Sequence, residues 1–384
     1  MKKSEALQCL TLFLSPDYND FADIYKKIEM KDDEWELVMK IANQHLLVPA
    51  LYEALKLKGY LVYIENENMV AYMKEIYMLN EKRNKHILKQ LQEIASLLYQ
   101  KLGIKVVLLK GAAALSEGHY NTLGARAMMD IDILVPEDKI FASVDILKEY
   151  GYMEIDSQVL QSDNWHHYNR LYHQDKVASI EVHRYILKTN SSLMQEVRQE
   201  HLLKSQTIEY AYVLEPTYEV IHSFLHSQIA HNYHKYHYIS LRHIHHFSIL
   251  MQHYGTRINY KKIMLYMNTN SLHKEWKEFS YMLQQLFLLK YRYSIDTSWN
   301  TQEYFYRVKL YLDISDTLFR RTVVVYLKVM ESLNYYKLQE HYGFTNKKLT
   351  PLYALIHLPV MFYIFVTNKR KRKVFLQNIY IFSI

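Results

Sequence analysis

Through the first hundred positions, apolar residues recur at steps of three and four. In Trp35-Glu36-Leu37-Val38-Met39-Lys40-Ile41-Ala42 they form the stripe of an amphipathic helix. Leu46-Leu47-Val48 then turns into a second short helix, with Pro49 near its first position. The same period holds without a break over 69–102, with Asn80, Lys82, Arg83 and Lys85 on the polar side, and Gly103 stops it. From there the period changes. Residues 104–109 read as a short buried strand, Lys110-Gly111 as a turn, and Ala112-Ala113-Ala114-Leu115 as the start of a helix. Over 130–135 the period is two: Ile131, Ile133 and Val135 alternate with Asp130, Asp132 and Leu134, and Pro136 ends the strand. Residues 137–150 read as an amphipathic helix stopped by Gly151. A third strand over 177–186 puts Glu181 and His183 on one face and Ala178, Ile180 and Val182 on the other. Past residue 205 the helical period returns.

These elements predict an α+β protein, mostly helical, built on a small mixed β-sheet with helical regions before and after it. The expected divisions are residues 1–100 for an N-terminal helical region, 101–205 for the sheet core and 206–384 for a C-terminal helical region. A length of 384 residues suits more than one unit. Only 8 Gly and 6 Pro argue against long flexible linkers and turn-rich all-β folds. The 36 Tyr read as compositional bias rather than as a stacking function. A net charge of +7 favours anionic ligands without choosing among nucleotide, nucleic acid and anionic membrane. With Cys9 alone there is no disulfide framework or cysteine metal cluster. The apolar run after Glu5 is short for a signal peptide and no small-residue cleavage site follows, so a cytoplasmic protein is expected.

Chemistry enters with the strand over 130–135. Its period puts Asp130 and Asp132 on one face, ~7 Å apart along the strand. Two carboxylates so close repel, and a divalent cation between them removes the repulsion. A hard cation such as Mg²⁺ takes oxygen ligands, commonly carboxylates together with substrate phosphates. The same pattern alone also describes an edge strand with two exposed acids. Likewise the strand, Lys110-Gly111 turn and helix start at 106–115 describe either a plain connection or a helix N-terminus able to receive phosphate. The order of the elements favours the second reading of each, because a strand with two acids followed by a strand with one acid gathers three carboxylates.

That order, Gly111-Ala112, then Asp130-x-Asp132, then Glu181, resembles the polymerase-β-like nucleotidyltransferase superfamily. More closely, Leu109-Lys110-Gly111-Ala112-Ala113, Arg126, Asp130-Ile131-Asp132-Ile133-Leu134-Val135 and Glu181-Val182-His183 resemble a bacterial family of uncharacterised nucleotidyltransferases. Two departures from the superfamily stand out: Ala112 occupies a place where Gly or Ser is usual, and the gap from Gly111 to Asp130 is longer than in most members, though not for this family. Within the matching last element Glu181 stands where Asp is common. The resemblance implies a Mg²⁺- or Mn²⁺-dependent enzyme that moves a nucleoside monophosphate, most simply AMP from ATP, to a hydroxyl-bearing acceptor with release of pyrophosphate. It implies Asp130, Asp132 and Glu181 as metal-binding catalytic residues. Lys110, Gly111, Ala112 and Arg126 would hold the nucleotide phosphates, and His183, His167 and Arg242 would stand near the acceptor or behind the metal ligands. The alternative on the same fold is a catalytically silent nucleotide-binding or scaffold protein.

The acceptor could be a small molecule, a glycan-linked group or a peptide. A nucleic-acid partner is not expected, since no basic stripe interleaved with aromatics appears. His222, His226, His231, His234, His237, His243, His245 and His246 carry no carboxylates at ligand spacing, and read as polar-face and core residues. The tail over 352–384 alternates apolar runs with the basic cluster 369–373. It reads as a helix docked on the C-terminal region, with peripheral contact to the inner, anionic face of a membrane as the alternative.

Overall fold

In the computed structural model the described residues are 1–15, 21–155, 165–187, 192–197, 199–288, 296–315, 317–343, 345–369 and 372–373. Four helices come first: α1 (Lys3–Leu14), α2 (Phe21–Ile28), α3 (Asp32–Gln44) and α4 (Val48–Leu57). The long helix α5 (Glu67–Leu102) follows, capped by the Asn66 side chain, which accepts from the Met69 amide. It ends on Gly103 in the left-handed conformation, φ +67°, which a glycine adopts without strain.

The sheet is assembled from β1 (Val106–Leu109), β2 (Asp130–Leu134), β3 (Met153–Glu154), β4 (Leu171–Tyr172), β5 (Ser179–His183), β6 (Leu202–Lys204) and β7 (Ala211–Leu214). Between its strands run α6 (Lys110–Ser116), α7 (Ile140–Glu149) and α8 (Ser192–Glu196). The strand order is β3-β4-β5-β2-β1-β7-β6. β2 runs antiparallel to β1 and parallel to β5, with Asp132 directly opposite Glu181. The expected α+β architecture, with a small mixed sheet between helical regions, is the one observed. Element edges differ slightly. β1 begins at Val106 rather than 104, where pairing to β7 begins, and the helix over 137–150 opens with a 3₁₀ turn, Glu137–Lys139.

The remaining helices are α9 (Pro216–Phe224), α10 (Leu241–Tyr254), α11 (Tyr260–Thr269), α12 (His273–Phe287), α13 (Trp299–Asp313), α14 (Leu318–Ser332), α15 (Tyr335–Tyr342) and α16 (Thr350–Thr367). Two apolar cores divide the sheet between them, and the two-residue period decides which side chain joins which. Val106, Leu108, Ile131, Ile133, Ile180 and Val182 pack with the second half of α5 and with α7. On the opposite face Val107, Leu109 and Leu134 join a larger core that runs from α1 through α13. The helices before and after the sheet therefore share one interior, and α1 packs directly on α12 and α13. Asp130 and Asp132 lie in the Leu134 register, and so on the face turned toward the larger helical layer.

The tail does not dock as expected. α16 meets α15 and the end of α14, and none of its described residues is buried. The stretch Lys347–Thr367 is long and apolar enough to cross a membrane, with a mean hydropathy of 1.8. Arg370, Lys371 and 374–384 lie outside the described residues.

Candidate active site

A cavity of about 410 Å³ opens between the acid-bearing face of the sheet and the helical layer of α9 and α10. Lys110, Gly111, Arg126, Asp130, Asp132, His167, Glu181 and Arg242 all line it. Two of the residues singled out in the sequence stand back from it. Ala112 is fully buried in the core behind the sheet, so only its backbone could serve a ligand. His183 is also fully buried, and acts on the cavity through Asp132.

The carboxylates meet because β2 and β5 are parallel neighbours. Asp132 Oδ1 takes two hydrogen bonds, from Lys110 Nζ at 2.7 Å and across 2.8 Å with His183 Nε2. Glu181 Oε1 accepts from Arg170 Nη2 at 2.6 Å and Nε at 3.1 Å, and Arg170 Nη2 also reaches Asp130 Oδ2 at 3.4 Å. His183 Nε2 lies 3.7 Å from Glu181 Oε2, which makes this imidazole a bridge behind both acids.

Charge follows the geometry. Burial pushes the Asp132 carboxyl up, but Lys110 and His183 outweigh it and hold Asp132 far below the usual carboxylate range. Glu181 is likewise held low by His183 against its burial. Asp130 moves the other way: burial raises it first, and Asp132 and Glu181 add to the rise. Burial opposes the charged His183 ring, yet its bonds to Asp132 and Glu181 keep it above its ordinary value. Three carboxylates are thus balanced by one lysine, one arginine and an imidazole inclined to hold its proton.

The donor set fits a hard divalent cation. A carboxylate oxygen each from Asp132 and Glu181 falls within 4.8 Å of the other with His183 behind them, and among the described residues no hydrogen bond is made to Asp132 Oδ2. Asp130 stands beside them on the same face. With all of these on paired strands, the ligand positions are set by the sheet rather than by a loop.

The turn after β1 has an unusual backbone. The residue in the left-handed conformation is Lys110, φ +51°, and Gly111 is not; a Cβ at Gly111 would meet Met128 at an ordinary 3.4 Å. A lysine in this region is uncommon and is held there at a cost of order 1–3 kcal/mol. The strained turn swings Nζ onto Asp132. Arg126 is carried by the loop before β2, which α5 grips from outside. Asn80 Nδ2 donates to the carbonyls of Gly124 and Arg126 at 2.7 and 2.9 Å, and Asn84 Nδ2 to those of Leu123 and Arg126 at 2.6 and 2.7 Å. The arginine that pairs with the acids is Arg170, not Arg126. Among the described residues neither Arg126 nor Arg242 forms an ion pair. Burial and the neighbouring Arg126 lower Arg242, the sign of two cations sharing one cavity wall.

A family model described as an uncharacterised nucleotidyltransferase matches residues 31–287. The chain belongs to this family. As a nucleotidyltransferase it is a transferase of phosphorus-containing groups. No curated protein and no solved structure matches it. The matched span of the nucleotidyltransferase runs from α3 through α12 and so takes in the sheet, the acids and both cavity walls. Two features of its site escaped the sequence reading. Arg170 directly precedes β4, and the antiparallel pairing of Leu171 with Ile180 sets it beside Glu181. That hairpin was the available signal. The second feature is the convergence of His226, His231 and His243 on the same cavity.

Proposed function

We propose that this nucleotidyltransferase moves AMP from ATP to a hydroxyl-bearing acceptor in a Mg²⁺-dependent reaction that releases pyrophosphate. The observation that carries the reading is the register of β2 and β5, which sets Asp132 opposite Glu181 with Asp130 beside them on the cavity wall. Asp130, Asp132 and Glu181 would hold Mg²⁺ or Mn²⁺. Bound there, the cation supplies charge neutralisation for the triphosphate and activation of the attacking oxygen. Lys110 and Arg126 face the cavity as the groups that meet the triphosphate and the leaving pyrophosphate. Arg170 would have to release these carboxylates for them to hold the cation. His183 orients Asp132 from behind. His167 and Arg242 line the same cavity and would serve the acceptor, whether a small molecule, a glycan-linked group or a peptide. The exposed apolar α16 supports a peripheral position at a membrane, with the catalytic residues in the cytoplasm.

Isotope position tests the reaction class. With ATP labelled at the α-phosphate, label should pass to the acceptor fraction while pyrophosphate accumulates. Transfer of a γ-label instead would make the enzyme a phosphotransferase. Stoichiometric nucleotide binding with no label transfer across broad acceptor screens would favour the silent binding protein.

A further inference from the structure

On the helical wall of the cavity three imidazoles converge, two from one turn and one from α10. His226 Nε2 and His231 Nε2 face each other at 3.2 Å. One ring nitrogen from each of His226, His231 and His243 lies within 4.8 Å of the others. The spacing of five residues between the first two matches no α-helical ligand pair, which is why it carries no signal in the sequence. The backbone supplies the reason. Leu225–Ala230 is π-helical, and the His231 amide donates to the His226 carbonyl at 3.2 Å, so residues five apart are brought together. Such segments are rare, and concentrate at functional sites. His243 is held by its other nitrogen: Nδ1 lies 2.6 Å from Ser240 Oγ, which leaves Nε2 as the nitrogen available to a ligand.

We infer that His226, His231 and His243 bind a transition-metal cation of the zinc class, with the remaining coordination position open to the cavity that holds the three carboxylates. Zinc–nitrogen bonds of about 2.0–2.1 Å place tetrahedral ligands roughly 3.3 Å apart. The His226–His231 pair is already at that spacing, and a His243 ring nitrogen lies within 4.8 Å of both. Three imidazoles without a carboxylate are unsuited to Mg²⁺, which takes oxygen, and suited to a borderline cation. Three protein ligands with one open position is the pattern of catalytic rather than structural zinc. Burial, followed by Lys110 for His226 and Arg242 for His243, holds both rings well below the ordinary imidazole value and keeps them neutral. Arg242 and Arg126 line the same cavity, so the ligand that completes the shell is an anion: a phosphate or carboxylate oxygen of the bound substrate. Without metal the His226–His231 contact is satisfied by a single N–H···N hydrogen bond, and that is the competing account.

The test uses the full chain, stripped of metal with chelator, then titrated with ZnCl₂ by calorimetry and with CoCl₂ by visible absorption. Expected are one tight equivalent of Zn²⁺ that excess Mg²⁺ does not displace, and Co²⁺ bands of a low-coordinate nitrogen site. His231→Gln and His243→Gln should each weaken Zn²⁺ by ~100-fold, the upper end of what losing even a supporting group costs a metal site. His231 is exposed, so its substitution leaves the fold intact, and circular dichroism confirms this. Asp130→Asn with Asp132→Asn should leave Zn²⁺ affinity within a factor of two. Wild-type affinity in the histidine variants, no Zn²⁺ binding by the unaltered chain, or loss of Zn²⁺ in the aspartate variant would each overturn the assignment. Because the aspartate variant removes only the acid site, failure of the Mg²⁺ reading and failure of this one give different patterns.

Discussion

Arg170 neutralises the acids proposed to hold the cation, and replacing it with methionine separates two roles. Its guanidinium makes two hydrogen bonds to Glu181 Oε1, at 2.6 and 3.1 Å, and a longer contact of 3.4 Å to Asp130. The Glu181 side chain is 10% exposed but the Arg170 side chain is 46% exposed, so the charge-assisted bonds are partly screened. Their net contribution is about 1–2 kcal/mol, and the Asp130 contact adds at most ~0.5 kcal/mol. Arg170→Met should therefore destabilise the metal-free protein by about 1–2 kcal/mol, lowering the melting temperature by on the order of 2 °C per kcal/mol. It also leaves Asp130, Asp132 and Glu181 with Lys110 as their main countercharge. A divalent cation entering the wild type must first displace Arg170, whereas in the variant it need not. The same 1–2 kcal/mol then reappears as roughly five- to thirtyfold tighter Mn²⁺ or Mg²⁺ binding. Calorimetric Mn²⁺ titration and melting curves with and without metal read both quantities. A variant that melts lower and also binds the cation more weakly would refute the reasoning, because Arg170 would then be organising the acids rather than standing in for the metal.

Two further outcomes follow from the surroundings of the site. At Gly124 an added Cβ would collide with the Tyr77 ring, which is anchored through its hydroxyl to Thr122. Gly124→Ala should cost about 1–3 kcal/mol in chemical denaturation and, by shifting the loop that carries Arg126, weaken nucleotide binding; unchanged nucleotide affinity would show that the loop does not position Arg126. Glu219 is buried beside the cavity with Tyr254 Oη shared between it and His119, and burial pushes its carboxyl up from 4.5 to about 8. Between pH 4.5 and 8 the unfolded chain has lost this proton and the folded chain still holds it, so stability falls with rising pH across that window by up to about 1.4 kcal/mol per unit. Glu219→Gln should remove that slope and leave the variant progressively more stable than wild type from pH 4.5 to 8; parallel stability curves would mean Glu219 is ionised in the fold.

What could be read from the sequence, and what could not, divides by range along the chain. The period-two run at 130–135 put Ile131 and Ile133 in one core and the aspartates on the other face, and Gly103 marked the end of α5, because both signals are local. The partnership of Asp132 with Glu181 followed from element order, since a small mixed sheet brings successive acid-bearing strands together. Arg170 was missed because its role depends on the pairing of Leu171 with Ile180, and β4 is only two residues long, too short to show a period. The histidines were hidden for a different reason. Residues 226 and 231 meet only through a π-helical turn, and their spacing in an α-helix would place them apart. The left-handed backbone at Lys110 was not legible either, because it accompanies an ion pair to Asp132 that lies twenty-two residues away in the chain.

The central claim is that the carboxylates on β2 and β5 hold the cation that binds the nucleotide. It is tested most directly by calorimetric titration of ATP into the full chain with Mg²⁺, with chelator, and in the Asp130→Asn, Asp132→Asn double variant. The predicted result is binding in the first case and none in the other two, with the double variant shown to be folded by its circular dichroism. Equal ATP affinity in the folded double variant would contradict the metal assignment.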